Sequence, residues 1–198
     1  AYGTLPNAWL KHRISLLNPS NILFVAEGEG RNAVWAAKNG WDVEAFDLTM
    51  NGKKKAMQLA EKNNVTIHYT VYPLRDFSSH TKKYHVLASS FFHINSFEQS
   101  KYFWKLWDAI EPGGHYISES YHISQLKFNS GGPKNIEMLH TIHQLLSNLL
   151  GENKSEKAIV LHSEVATVLL DESELHTGEA RVVRIHLKKQ QEDFKKVY

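Results

Sequence analysis

The chain has 198 residues, 42% hydrophobic and 22% charged, the balance of a soluble globular protein large enough for one full core. A formal charge of +2 is too small to argue for nucleic acid, no apolar run reaches the roughly 18 residues of a membrane span, and no basic-then-apolar leader opens the chain. The absence of cysteine excludes disulfides, thiolate metal sites and cysteine nucleophiles, and is compatible with a cytoplasmic location.

Residues 1–21 precede the first strand, with Trp9, Leu10, Ile14 and Leu17 giving a short helical stripe. That stripe reads either as a cap over a ligand or as an amphipathic helix packed on a sheet. The stretch from Ile22 to Asp47 is the most informative in the chain. Ile22 to Ala26 is a buried-strand run, Gly28 and Gly30 make a turn, and Ala33 to Lys38 is a helix stopped by Asn39-Gly40. A second strand, Val43 to Phe46, delivers Asp47, about 20 residues beyond the first glycine, where a carboxylate accepts hydrogen bonds from ribose hydroxyls. The glycines let backbone approach a ligand, and the helix offers it free N–H groups.

Beyond Asp47, Asn51-Gly52 opens a helix that turns Ala56, Leu59 and Ala60 inward, and Val65 to Tyr69 reads as strand three. Strand four runs from Tyr84 to Ser90. Ser96 to Gln99 has the pattern of a capping box with Ser96 as N-cap, and its helix carries Phe103, Trp107 and Ile110 at helical spacing. Pro112-Gly113-Gly114 turns into strand five, His115 to Ser120. A loop from Tyr121 to Pro133 leads to a helix with Leu139, Ile142, Leu146 and Leu149 on one face. His140 and His143 stand i, i+3 there and read as two polar residues on a wet face, so no metal site is expected. Strands over Ala158–Leu170 and Arg181–Leu187 finish the fold, and 190–198 is expected to be a flexible tail.

This alternation predicts a single α/β domain over 1–198: a doubly wound, Rossmann-like, mostly parallel seven-stranded sheet with a C-terminal antiparallel hairpin. Glu27, Asp47, His93 and the Glu119–Tyr121 segment all come at strand ends, where such sheets bind ligands. Gly28-x-Gly30-x-x-Ala33 also satisfies a dinucleotide fingerprint, so an NAD-type oxidoreductase competes. An acid immediately before the glycines would repel a pyrophosphate, whereas a cation such as S-adenosylmethionine would welcome it.

The acid-Gly-x-Gly turn resembles motif I of class I S-adenosylmethionine-dependent methyltransferases. Nearly the whole sequence resembles the small-molecule methyltransferases related to the tellurite-resistance methyltransferase. The segments concerned are Tyr2–Leu10, Ala26–Ala33, Gln125-Leu126 with Gly131-Gly132-Pro133, and His176-Thr177-Gly178. The resemblance implies methyl transfer from S-adenosylmethionine to a small-molecule acceptor, with 1–21 as a cofactor-capping segment; the small net charge and the short apolar runs leave neither nucleic acid nor membrane as an expected partner. It implies cofactor binding by Glu27, Gly28, Glu29, Gly30, Arg31, Asn32 and Asp47, with Leu48 and Leu74 flanking the adenine and Ser89 or Ser90 near the methionine. Phe91 and His93 would line the transfer site. Candidate catalytic groups are His93, Glu119 and Tyr121, with His122 and His176 as further possible bases. Three positions depart from the pattern. Pro73 replaces an Asp or Asn that would accept from an adenine amino group, His85 replaces an Asp at the start of strand four, and Ser173 replaces a glycine. A non-catalytic S-adenosylmethionine-binding protein is the remaining alternative.

Overall fold

The computed structural model describes residues 3–151, 158–173 and 176–191. Tyr2 of the opening segment, the connection at 174–175 and residues 192–198 of the expected tail lie outside them.

Seven strands form one sheet in the order β3-β2-β1-β4-β5-β7-β6. They are β1 (Asn21–Val25), β2 (Asp42–Asp47), β3 (His68–Val71), β4 (Tyr84–Ser90), β5 (Ile110–Tyr121), β6 (Ala158–Ser173) and β7 (His176–Lys189). β1 lies between β2 and β4 and is parallel to both. Its side chains enter apolar layers on both faces of the sheet, Leu23 and Val25 on one and Ile22 and Phe24 on the other, which is why Ile22 to Val25 are apolar without alternation. β7 is antiparallel to β5 and to β6, so the C-terminal hairpin closes one side of a mostly parallel sheet as the sequence predicts.

Helices α1 (Ala8–Ile14), α2 (Arg31–Lys38) and α3 (Met50–Lys62) cover one face. Helices α4 (Ser96–Tyr102), α5 (Trp104–Asp108) and α6 (Ile142–Leu150) cover the other. Trp9, Leu10 and Ile14 are buried against Ile22, Phe24 and Val86, so α1 packs on the sheet. A smaller apolar cluster of Tyr121, Leu139, Leu170, Ala180 and Val182 sits by the end of β5. Among the described residues no helix is long and apolar enough to cross a membrane.

Several local expectations are corrected. β3 begins at His68, because the chain leaving α3 is still closing its last turn when Val65 N donates to Ala60 O. The N-cap of α4 is Asn95, whose side chain accepts from Glu98 N, while Gln99 donates to Ile94 O. The helix expected to reach Ile110 breaks at Phe103 into α4 and α5, and Ile110 already pairs with Tyr84 as the first residue of β5. Leu139 and His140 precede α6, whose cap is Thr141. His140 is wholly buried, bridging in strand fashion to His122, and only His143 of that pair is exposed.

Candidate active site

Sheet order reverses between β1 and β4, and the crevice beyond their carboxyl ends is where such folds bind ligands. A cavity of about 630 Å³ opens there. Ala26 and Phe91, the residues that leave β1 and β4, both line it with φ of 54° and 52°. Positive φ is strained for a residue with a side chain, and two such turns flanking one crevice mark a functional site.

At one end the wall is made by Glu27, Gly28, Glu29, Arg31, Asp47, Leu48, Pro73 and Leu74. Glu27 caps α2. One carboxylate oxygen accepts from Asn32 N and Ala33 N at 2.7 Å, and the other accepts from Asn32 Nδ2 at 3.0 Å. Burial nevertheless outweighs these bonds and the nearby Arg31 charge, raising the Glu27 pKa to about 7. Asp47 bridges two turns, accepting from Gly28 N at 3.1 Å and from Thr49 N at 3.1 Å. Nothing stands within 4 Å of where a Cβ on Gly28 would lie, so that backbone is open to a ligand.

The other end is aromatic. Phe91, Tyr121, His93 and His140 form a ladder of stacked rings with successive centroids 4.7, 5.4 and 5.3 Å apart. His93 Nδ1 lies 2.8 Å from Met138 O and so carries the proton, leaving Nε2 as a lone-pair acceptor with no partner among the described residues. Burial, with His140 alongside, lowers the His93 pKa to about 3, so the imidazole is neutral. The Tyr121 hydroxyl is 3.1 Å from His176 Nδ1. Phe92, Tyr102, Gly131, Gly132 and Pro133 complete this end.

The sequence thus brings Glu27, Gly28, Glu29, Arg31, Asp47, Leu48, Leu74, Ser90, His93 and Tyr121 to one cavity, with His176. Gly30, Asn32, Ser89 and Glu119 do not line it. Gly30 instead carries the left-handed turn into α2, and a Cβ there would stand 2.6 Å from that of Ala56. Asn32 binds Glu27 and accepts from Asn7 N. Ser89 is buried and faces Tyr116. β5 continues two residues past Glu119, whose buried carboxylate is taken by Asn7 Nδ2 and Arg184 Nε at 2.6 Å each. Burial raises its pKa, and its partners tie it to the cap of α1 and to β7. His122 is turned to Ser124.

Sequence reasoning missed the hub at Asn7. Its side chain caps α1, its Nδ2 reaches Glu119 and Glu172, and Glu172 pairs with Arg31 at 2.8 Å. The opening segment therefore reaches the cavity through Arg31. Phe46, Tyr72, Arg75, Glu98 and Tyr102 also line the cavity without having been predicted, since only the folded chain sets them beside the glycine turn.

The family model described as tellurite resistance protein TehB matches residues 6–117, more than half of the chain. No curated protein sequence matches it. Among solved structures, TehB from Haemophilus influenzae is similar at TM-score 0.73 and 15% identity, over 91% of this chain and 61% of that one. The N-methyltransferase NodS from Bradyrhizobium japonicum is similar at TM-score 0.68 and 11% identity, over 92% and 93%. Magnesium protoporphyrin IX methyltransferase from Synechocystis, with bound S-adenosylhomocysteine, is similar at TM-score 0.67 and 15% identity, over 92% and 80%. The chain belongs to the tellurite resistance protein TehB family, on the fold of the class I S-adenosylmethionine-dependent methyltransferases.

Proposed function

We propose that this S-adenosylmethionine-dependent methyltransferase moves the methyl group to a small-molecule acceptor held against the ring ladder of Phe91, Tyr121 and His93. The observation that carries this reading is the division of one cavity into two chemistries. Its Glu27–Asp47 end offers carboxylates and open glycine backbone, which suit a cationic ligand bearing a ribose. Asp47 would take the ribose hydroxyls, Leu48 and Leu74 would flank the adenine, and Ser90 with the Glu27–Arg31 turn would face the methionine. Pro73, on the same wall, has no side-chain acceptor for an adenine amino group.

S-Adenosylmethionine supplies a methyl group on a sulfonium, an electrophile that already has its leaving group. The protein's task is alignment of donor and acceptor at about 3–3.5 Å, worth roughly 7–11 kcal/mol. His93 lines this end as a neutral ring whose Nε2 is unpartnered among the described residues but shielded from the cavity, so it would receive a hydrogen bond from an acceptor X–H group only once the ring turns. An imidazole of such low basicity would orient the acceptor's proton rather than store it. The Tyr121 hydroxyl is already bound to His176 and acts through that pair.

Calorimetric titration with S-adenosylhomocysteine and with NADH tests the cofactor end. Micromolar affinity for the first and none for the second is expected, and the reverse would refute the reading. Asp47→Ala should weaken S-adenosylhomocysteine binding by about 10- to 150-fold, the worth of partly coupled charge-assisted hydrogen bonds. Screening acceptors by S-adenosylhomocysteine release would identify the substrate.

A further inference from the structure

The Gly131–Pro133 segment is a wall of the aromatic end, yet it belongs to a loop and has no sheet of its own to hold it. Loops beside active sites are often lids that close on substrate. This one is built differently. A Cβ on Gly132 would stand 2.7 Å from Tyr121 Cδ2, so the backbone lies directly on that ring. Its φ of 86° is a second reason for glycine there.

What holds the backbone down is Gln125, a buried residue on the 3-10 turn Ile123–Lys127 that does not line the cavity. Its Nε2 donates to Ser130 Oγ at 3.0 Å and to Gly131 O at 3.1 Å. Its Oε1 accepts from Arg181 N of β7 at 2.7 Å. Ser130 is itself buried and donates to Glu179 O of the same strand. One amide side chain thus spends three hydrogen bonds on joining the loop to the sheet, and a buried amide with all its groups satisfied holds a single arrangement.

We propose that Gln125 is the positioning residue of the acceptor end: through Ser130 and Gly131 it fixes the Gly131–Pro133 backbone on Tyr121, making a preformed wall rather than a closing lid. Gln125 acts on the acceptor without touching it. The glycine turn and Asp47 are reached by none of its bonds, so the cofactor end is independent of it. The inference rests on the cavity being the methyl-transfer site, but the state of the loop can be read without any transfer.

Two variants separate the bonds. Gln125→Met removes all three, whereas Gln125→Glu keeps the acceptor for Arg181 N and loses both donors to the loop. Exposed Lys127 and Lys134 flank the wall, so trypsin reports whether it is seated. The wild type should resist nicking at both lysines equally with and without S-adenosylhomocysteine. Both variants should be nicked at least tenfold faster while binding S-adenosylhomocysteine within twofold of wild type. With 4-nitrothiophenol, a flat aromatic thiol followed by loss of its thiolate colour, both should raise the acceptor KM about tenfold and leave the S-adenosylmethionine KM unchanged.

Rapid nicking of the wild type that S-adenosylhomocysteine suppresses would make the loop a lid and overturn the proposal. A silent Gln125→Glu would also overturn it, by reducing Gln125 to an anchor for β7. If Gln125→Met unfolds, Ser130→Ala removes both bonds of the Ser130 hydroxyl, from Gln125 Nε2 and to Glu179 O, while leaving Gln125 on Gly131 O, and should still accelerate nicking; unchanged nicking there counts against the proposal. Failure of the wild type to bind S-adenosylhomocysteine or to methylate the thiol would count against the transfer reading, while nicking would still decide the wall.

Discussion

Glu27 carries the most consequential electrostatics of any single residue in the cavity. Its folded pKa of about 7 is raised above the unfolded value near 4.5, so its contribution to stability is present in acid and is lost as pH rises through 7. A cation seated beside it would reverse that cost by favouring the carboxylate. Binding of S-adenosylmethionine should therefore release protons. At pH 6.5 about three-quarters of Glu27 is protonated in the free protein, so release should approach about 0.7 proton per ligand and vanish by pH 8.5. Affinity should rise with pH across the same interval. Calorimetry in phosphate and in Tris, whose ionisation heats differ, measures this directly. Zero release at pH 6.5, or equal release from Glu27→Gln, would show that the ligand's charge does not face Glu27.

Among the elements, the glycine turn does two jobs that its sequence does not distinguish. Gly30→Ala would drive a methyl group against Ala56 of α3 at a φ of 88°, and strain plus overpacking should cost about 2–4 kcal/mol. Gly28→Ala meets no neighbour, so only the φ of 63° opposes it, at about 1–2 kcal/mol. Its methyl group would instead take up room beside the cavity. Urea melts should rank Gly30→Ala as the less stable variant, and S-adenosylhomocysteine titration should rank Gly28→Ala as the weaker binder. Equal losses in both assays would refute the division. The strand, turn, helix, strand and acid were legible because each is written locally, in apolar runs, glycines and caps. The tasks of Gly30, Glu119 and Gln125 are set by Ala56, Arg184 and Arg181, and no periodicity points across such separations. His140 misled for the same reason. Spacing from His143 suggested a shared helix face, but Thr141 starts α6 only after His140 has been buried under His93.

Across the protein as a whole, buried histidines set the acid limit. Arg13 Nε and Nη2 lie 2.9 and 2.8 Å from His186 Nδ1, which must therefore accept, and His186 Nε2–H then donates to His115 Nδ1 at 2.9 Å. Neither ring has room for a second proton without opposing this chain. Burial lowers His186 to about 3 and His115 to about 4, as it lowers His93 to about 3 and His140 to about 4. Folded values below the unfolded 6.5 mean stability that is complete above pH 6.5 and lost as pH falls towards them. At pH 5.5 the unfolded chain holds about 0.9 proton on each histidine and the folded chain almost none. Glu27, raised by burial to about 7, works in the opposite direction and offsets about 0.9 of these protons, and burial shifts Glu119 in the same sense. Unfolding at pH 5.5 should then take up about two to three protons, a loss of about 3–4 kcal/mol per pH unit. Against a typical total of about 5–15 kcal/mol, the ligand-free fold should fail between about pH 5.5 and 4. Urea melts from pH 5.0 to 6.5 give the slope, and His115→Asn with His186→Asn should flatten it by nearly two protons. A wild-type slope below about one proton would mean that these rings already accept protons in the folded state, and that the Arg13–His186–His115 chain does not hold them neutral.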